Sequence, residues 1–146
     1  MAVLAGAITD PADLTAVLRM VATMATYTPE LTSSSGSPTI GNGTLTGRYL
    51  QSNGLAYVQI QLTRGSTTDY GTGFISLSVP IPALSVDYVG ACTLFDASAN
   101  SFAAACQMET TTSITPVSSS GVITSTSPFT WATSDRIRIT ILYEHA

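Results

Sequence analysis

Apolar and polar residues alternate along two stretches of this chain. In LAYVQIQLT, residues 55–63, one side of the chain carries Ala56, Val58, Ile60 and Leu62, and the other carries Leu55, Tyr57, Gln59 and Gln61. In DRIRITILYE, residues 135–144, the alternating sets are Ile137, Ile139, Ile141 and Tyr143 against Arg136, Arg138, Thr140 and Leu142. A period of two residues predicts β-strands, each with one buried face.

Further stretches of strand-like composition are separated by Gly, Ser, Asn and Pro. They cover residues 43–51, 73–81, 86–95 and 103–111, with short pieces near 113–117 and 121–125. Pro80 and Pro82 end the strand of residues 74–79, because proline cannot donate a hydrogen bond to a neighbouring strand. About eight strands with short turns and no intervening helix predict an all-β, antiparallel β-sandwich, with a jelly roll as its form.

The pattern differs only near the start of the chain, in ITDPADLTAVLRMVATMA, residues 8–25. Asp10 is a suitable N-cap, Pro11 suits the first helical position, and Asp13 lies in the first turn. The apolar residues that follow recur at helical spacing: Leu14, Val17, Leu18, Val21 and Met24. We therefore predict a helical attachment segment over residues 1–26 and a β domain over residues 27–146.

The chain has an unusually uncharged composition. Charged residues make up 10% of its 146 residues, none is lysine, and the formal net charge is −4. Five scattered arginines are not expected to form the basic groove that nucleic acid requires. No stretch approaches the ~20 apolar residues of a membrane span, and the start lacks a secretory signal pattern. We therefore expect no nucleic-acid partner, no membrane insertion, and folding in a cytoplasm.

The two cysteines, Cys92 and Cys106, have no metal-ligand partners nearby in the sequence. One interpretation is that they are small buried apolar residues. The other is that a hairpin with its tip at Ser98–Asn100 places the two cysteines opposite each other. A reducing cytoplasm would keep such a pair as thiols.

Residues for catalysis, cofactor binding or metal binding are not recognisable in the sequence. His145 is the only histidine and lies one residue from the end, so a nucleophile would lack an oriented base. No spacing matches a zinc or calcium site, and the glycines at 41–47 and 71–73 lie between β segments rather than before a helix. Asp69, Asp96 and Asp135 are expected in turns. We predict no catalytic, cofactor or metal residue, although a distant carboxylate pair of the glycosidase type stays an alternative.

Five aromatic residues leave two interpretations open. They could form a stacking platform for a sugar, or they could belong to the core or to an interface between subunits, which their apolar neighbours favour. These residues are Tyr57, Tyr70, Tyr88, Trp131 and Tyr143.

Three stretches of the chain resemble small virion proteins of tailed phages, particularly those that infect actinobacteria. The stretches are YTPELTSSSGSPTIGNGTLTGRYLQSNGLAYVQIQL, GTGFISLSVPIPA and PFTWATSDRIRITILYEHA. The residues that carry the likeness are Pro38, Gly41, Gly43, Gly47 and Tyr49, then Gly71, Gly73 and Pro80, and finally Asp135, Ile137, Tyr143 and Glu144. Such proteins are minor tail or fibre-tip modules, commonly trimeric and similar to the C1q/TNF-like jelly roll.

The resemblance implies a non-enzymatic phage structural protein, a trimeric minor tail or fibre module of the virion that contacts a host-surface glycan. A capsid decoration or head-fibre protein is the alternative, and a carbohydrate-active jelly-roll enzyme is an alternative of a different class. We expect residues 1–26 to attach the chain to other virion proteins. We also expect the isoleucines and tyrosines of residues 57–62 and 135–144 to line the trimer contact.

Overall fold

The computed structural model describes residues 23–146, and this part of the chain contains ten β-strands and no helix. The strands are β1 (Ala25–Tyr27), β2 (Leu31–Ser33), β3 (Thr44–Ser52), β4 (Leu55–Thr63), β5 (Ile75–Ser78), β6 (Val89–Phe95), β7 (Ser101–Thr110), β8 (Ser113–Ser118), β9 (Gly121–Val122) and β10 (Arg136–Glu144). The all-β prediction is confirmed for this part. Most of the predicted helix and attachment segment lies outside the described residues, and β1 begins two residues before the predicted boundary at 26/27.

All ten strands form one antiparallel sheet in the order β1-β3-β4-β10-β6-β7-β8-β5-β2, with β9 paired to β8. The two edge strands, β1 and β2, are separated by only three residues of chain. The Tyr27 hydroxyl donates a hydrogen bond to the Ser78 carbonyl oxygen at 3.2 Å, and the Ser78 N–H donates to the Glu30 carbonyl oxygen at 3.0 Å. Both edges therefore meet beside β5, so the sheet must curl around a common interior.

The interior is filled by the apolar sets that the alternation predicts. Every inward residue of β4 and β10 is at most 3% exposed: Ala56, Val58, Ile60, Leu62, Ile137, Ile139, Ile141 and Tyr143. β10 pairs along its whole length with β4 and over residues 136–140 with β6, so it lies in the middle of the sheet. The alternation of these two strands is confirmed. The same burial corrects the predicted trimer contact, because these isoleucines and Tyr143 are used by the core of the single chain.

The hairpin between β3 and β4 shows why the sequence turns where it does. Asn53 and Gly54 both have positive φ angles, 49° and 77°. Two consecutive residues of this kind form the type I′ turn that matches the twist of paired strands, and Asn-Gly is its preferred sequence. The turn sets the register Ser52 to Leu55, which places all inward residues of the two strands on the same face.

Close packing against the backbone explains one glycine of β3. A Cβ atom built on Gly47 would overlap the ring of Tyr27, which lies edge-on to Tyr49 at 5.8 Å between ring centroids. Since β1 has only three residues, this ring contact adds to the attachment of β1 along the edge of the sheet.

Aromatic side chains cluster at the end of the sheet where β4 ends and β10 begins. Phe129 lies 4.4 Å from Trp131 and 5.3 Å from Phe102 between ring centroids, and Trp131 contacts Tyr70 edge-on at 5.5 Å. The Trp131 indole N–H donates a hydrogen bond to the Thr124 carbonyl oxygen at 2.9 Å. These rings cover the interior at this end, which we call the aromatic end.

The cysteine hairpin exists, but its predicted register is wrong. Cys92 pairs with Ala104, and Cys106 pairs with Gly90, so the two cysteines do not lie opposite each other. Both are buried free thiols, as the first interpretation expected. Burial raises the pKa of Cys92 to about 12 and that of Cys106 to about 11. Neutral buried thiols are inert, so they act here as small apolar residues.

Candidate functional site

The outward side of β3, β4 and β10 carries an open groove lined by polar side chains. The register of the three strands forms two rows across the sheet, Arg48–Gln59–Thr140 and Thr46–Gln61–Arg138. These six residues line a groove of about 280 Å³, which we call the arginine–glutamine groove.

The two arginines of the groove differ from the other described arginines in their partners. The Arg64 guanidinium carbon lies 6.0 Å from the Tyr70 ring centroid, and that of Arg136 lies 5.3 Å from the Phe95 ring centroid. Arg48 and Arg138 are exposed, and among residues 23–146 neither has an ion pair or a side-chain hydrogen bond. Their guanidinium groups are thus available to a ligand.

Antiparallel pairing brings Arg48 and Arg138 together although 90 positions separate them. Their strands lie two positions apart in the sheet, and their rows are offset by two residues. With about 4.8 Å between strands and 3.4 Å per residue, their Cα atoms are about 12 Å apart. The scattered positions of the arginines in the sequence did not indicate this pair, and the expectation of no basic groove for nucleic acid stays a prediction. The sequence does place both arginines at outward positions of their strands. Neither strand contains an aspartate that could pair with them.

The chemistry of the groove suits an acidic or hydroxyl-rich ligand. Guanidinium groups donate paired hydrogen bonds to carboxylates and phosphates, and the amides and hydroxyls between them can donate and accept. The Gln59 amide donates to the Tyr57 hydroxyl at 2.9 Å, which orients one amide of the groove. No carboxylate lines the groove. A ligand with one or two negative charges fits this arrangement.

Of the acidic residues expected in turns, Asp96 and Asp135 lie in loops next to β6 and β10, whereas Asp69 forms an isolated β-bridge with Thr39. The Asp69 carboxylate accepts a hydrogen bond from the Gly71 N–H, and that of Asp96 accepts from the N–H and hydroxyl of Ser98. These bonds to Ser98 lower the pKa of Asp96. Asp135 is fully buried, and its two carboxylate oxygens accept the N–H groups of Ala97 and Ala132 at 2.8 and 2.6 Å. These carboxylates hold loops in place, and both oxygens of Asp135 are used for this.

His145 lies against the hairpin between β3 and β4. The backbone N–H of His145 donates to the Gly54 carbonyl oxygen at 2.8 Å, and the residue is 8% exposed. Its Nδ1 lies 2.7 Å from the Ala146 carbonyl oxygen, a contact within the end of the chain. Over residues 23–146 no group of three His, Cys, Asp or Glu side chains is close enough to hold a metal ion.

The five aromatic residues considered as a sugar-stacking platform do not form one exposed surface. Tyr70, Trp131 and Tyr143 are at most 5% exposed, so their rings belong to the core, as the second interpretation expected. Tyr57 and Tyr88 are half-buried, and the Tyr88 hydroxyl donates to the Glu144 carboxylate at 3.2 Å. Only Tyr57 lies next to the arginine–glutamine groove.

A second outward region adjoins this groove and is apolar. Leu50, Tyr57 and Leu142 form the next row across the same three strands, with Leu55 beyond them. They line a further groove of about 230 Å³ together with Ser52 and Asn53. We call Leu50, Leu55, Tyr57 and Leu142 the apolar end, since it lies opposite the aromatic end.

Comparison with protein-family models, with curated proteins and with solved structures finds no match to this chain. Within the described part of the chain there is no helix long and apolar enough to cross a membrane.

Proposed function

We propose that this chain is a non-enzymatic structural protein of a bacteriophage virion, a minor tail or fibre module that contacts a host-surface glycan. The β domain is the exposed module, and residues 1–26 attach it to other virion proteins. The observation that carries the binding role is the arginine–glutamine groove, where two arginines without a described partner border a surface rich in amides and hydroxyls.

The motifs of the phage resemblance support the proposal through their structural roles. Gly47 gives Tyr27 its place at the sheet edge, and Asp135 joins two loops at the aromatic end. The Tyr143 hydroxyl donates to the Ile81 carbonyl oxygen at 2.8 Å, which ties β10 to the segment that follows β5. Motifs of this kind specify a fold rather than a reaction, as expected of a structural module.

A jelly-roll form and a homotrimer are part of the same proposal. The curled sheet with joined edges supports a jelly-roll-like arrangement of the strands. A trimer contact would use outward residues, since the inward residues of β4 and β10 are buried within the chain. The low charge reduces repulsion between copies. Light scattering at micromolar concentration tests this part, and a monomer would refute it.

The glycan role is tested with a double variant, Arg48→Gln with Arg138→Gln, on an array of polysaccharides that carry carboxylates or phosphates. We expect the parent chain to bind acidic glycans and not neutral dextran, and binding to weaken as salt is added. The double variant should lose about tenfold or more in affinity, because hydrogen bonds to charged groups contribute about 1.5–3 kcal/mol.

The matched control is Arg64→Gln with Arg136→Gln, which also removes two positive charges but outside the groove lining. It should leave binding nearly unchanged. An equal loss in the control would show a general charge effect, and no acidic-glycan binding by the parent would refute the glycan role.

The alternatives make different predictions for the assembled particle. A capsid decoration or head-fibre protein would appear on the capsid surface in an electron cryomicroscopy map, whereas a tail module would appear on the tail. A carbohydrate-active enzyme would release sugars from the glycans that it binds. None of the grooves described above is lined by a carboxylate, which favours the binding role.

A further inference from the structure

The apolar end exposes more apolar side chain than the fold needs. Leu55 is 42% exposed and Leu142 is 54% exposed, although both lie in central strands of the sheet. On the neighbouring strand β6, Val89 is 71% exposed, and alternation from the Ala91–Thr140 pair places it on the outward side at the level of Leu142. The exposed Leu84 donates its N–H to the Glu144 carbonyl oxygen at 2.9 Å and so lies beside the end of β10. Exposed apolar residues gathered in this way indicate a partner.

The described chain begins at the border of this surface. Thr26 pairs with Arg48 on the outward side of the sheet, and Ala25 pairs with Tyr49. Met24 precedes Ala25, so alternation puts it on the outward side at the level of Leu50. Met24 is half-buried there. The point where residues 1–22 join the described domain therefore lies at the edge of the apolar end.

The sequence of those residues matches the surface in pattern and reach. The apolar positions Leu14, Val17, Leu18 and Val21 continue to Met24 at helical spacing. In the sheet, β1 is separated from β10 by β3 and β4, a distance of about 14 Å at 4.8 Å per strand. Residues 14–22 would span about 13 Å even at the short rise of a helix, and the non-helical Thr23 and Met24 add the remaining distance from β1, which is enough to reach Leu142.

The charges are also compatible with this contact. Glu144, which lies beside Leu55, is the acidic residue at the rim of the apolar end. Arg19 is the only basic residue among residues 1–22. A segment crossing the apolar end thus brings one basic residue toward the Glu144 carboxylate.

We propose that residues 14–22 cover the apolar end of their own chain in the unassembled protein. This inference goes beyond the proposed function and does not depend on it, because it concerns the chain before any particle is present. The same apolar residues cannot contact the chain and the particle together. Attachment to a virion would then exchange one apolar partner for the other.

The test is proximity cross-linking in the full chain. A double variant, Leu18→Cys with Leu142→Cys, is treated at micromolar concentration with a short bifunctional maleimide, and the products are mapped by mass spectrometry after proteolysis. Cys92 and Cys106 are buried, and their raised pKa values make them slow to react. The parent chain without added cysteines measures any residual reaction.

The matched control is Leu18→Cys with Val122→Cys, because Val122 is also exposed, at 39%, but lies on β9. We expect most of the Leu18/Leu142 variant to form a cross-link within one chain and the control to form little. Cross-links mainly between chains would show that a second copy occupies the apolar end. Equal yields in the two variants would show that the segment has no preferred position. Either result overturns the proposal.

A second variant tests the contact without new cysteines. Leu14→Ser with Leu18→Ser should increase the binding of a hydrophobic dye, and the increase should be reduced when Leu142→Ser is added. A melt of each variant establishes that the β domain is folded. The proposal is contradicted if the Leu14→Ser, Leu18→Ser variant melts like the parent chain and binds no more dye than the parent chain.

Discussion

The arginine–glutamine groove and the apolar end lie next to each other on the same three strands, yet they have opposite chemistry. The groove has exposed arginines and amides, and the apolar end has leucines and a tyrosine. The inward positions of β4 and β10 show no such change, since they are apolar from one end to the other. The strand pattern therefore sets the inward residues, whereas the outward residues are free to serve different contacts.

The strongest test of this comparison is a pair of neighbours on β10. Ile139 is 1% exposed and points inward, whereas Thr140 points outward into the groove. We expect Ile139→Ala to lower the free energy of unfolding by about 2–5 kcal/mol, because it leaves a cavity in the core. Thr140→Ala should change it by no more than about 0.5 kcal/mol. Urea unfolding followed by tryptophan fluorescence measures both, and equal losses would contradict the division into two faces.

A second pair, on β6, tests how tightly the interior is packed. A Cβ atom on Gly90 would lie 2.8 Å from the Cys106 sulfur and would overlap the Thr140 carbonyl oxygen. Gly90→Ala should therefore cost about 1–3 kcal/mol, as overpacking does. The adjacent outward residue Ala91 is exposed, so Ala91→Ser is the control and should be nearly neutral. A stable Gly90→Ala variant would mean that the strands at this point separate easily.

The smallest expected effect is a loss of stability at alkaline pH. Burial holds the pKa of Cys106 at about 11 in the folded chain, above the ordinary 9.0. The unfolded chain loses this proton at lower pH, so the stabilising effect is complete below pH 9 and is lost as the pH rises from 9 to 11. The Tm should be flat from pH 7 to 8.5 and fall above pH 9.

The control for this prediction is Cys106→Ala, measured relative to its own Tm at pH 7. The Tm of this variant should fall less steeply above pH 9. Cys92 and buried tyrosines such as Tyr143, whose pKa values are also raised, keep part of the slope. An unchanged slope would show that Cys106 does not contribute.

The sequence was sufficient to predict the two central strands but not the register of the cysteine hairpin. A period of two with one buried face specifies β4 and β10 directly, because a shift of one residue would expose every isoleucine. The hairpin tip depends on local bonds instead. Asp96 accepts hydrogen bonds from Ser98, and its N–H donates to the Asn100 carbonyl oxygen at 3.0 Å. This closes the turn one position earlier than symmetry about the cysteines requires.

The candidate site was less predictable than the core. Arg48 and Arg138 form no motif, and their proximity depends on β4 lying between β3 and β10. Sequence order gives no information on that pairing, since β10 follows β9 in the chain and pairs with β4 and β6. The edge strands β1 and β2 were also missed, because three residues are too few to show a period.

The two short edge strands have a consequence for behaviour at high concentration. An exposed sheet edge is a template on which another chain can add a strand, and this is a common start of fibrillar aggregation. In the described part, the sheet order ends on strands of three residues at both sides. β1 covers residues 47–49 in the middle of β3, so the uncovered stretches of β3 are three residues each, and β4 and β10 lie between other strands. Many copies of a nearly uncharged chain can therefore be crowded together without offering one another a long unpaired strand.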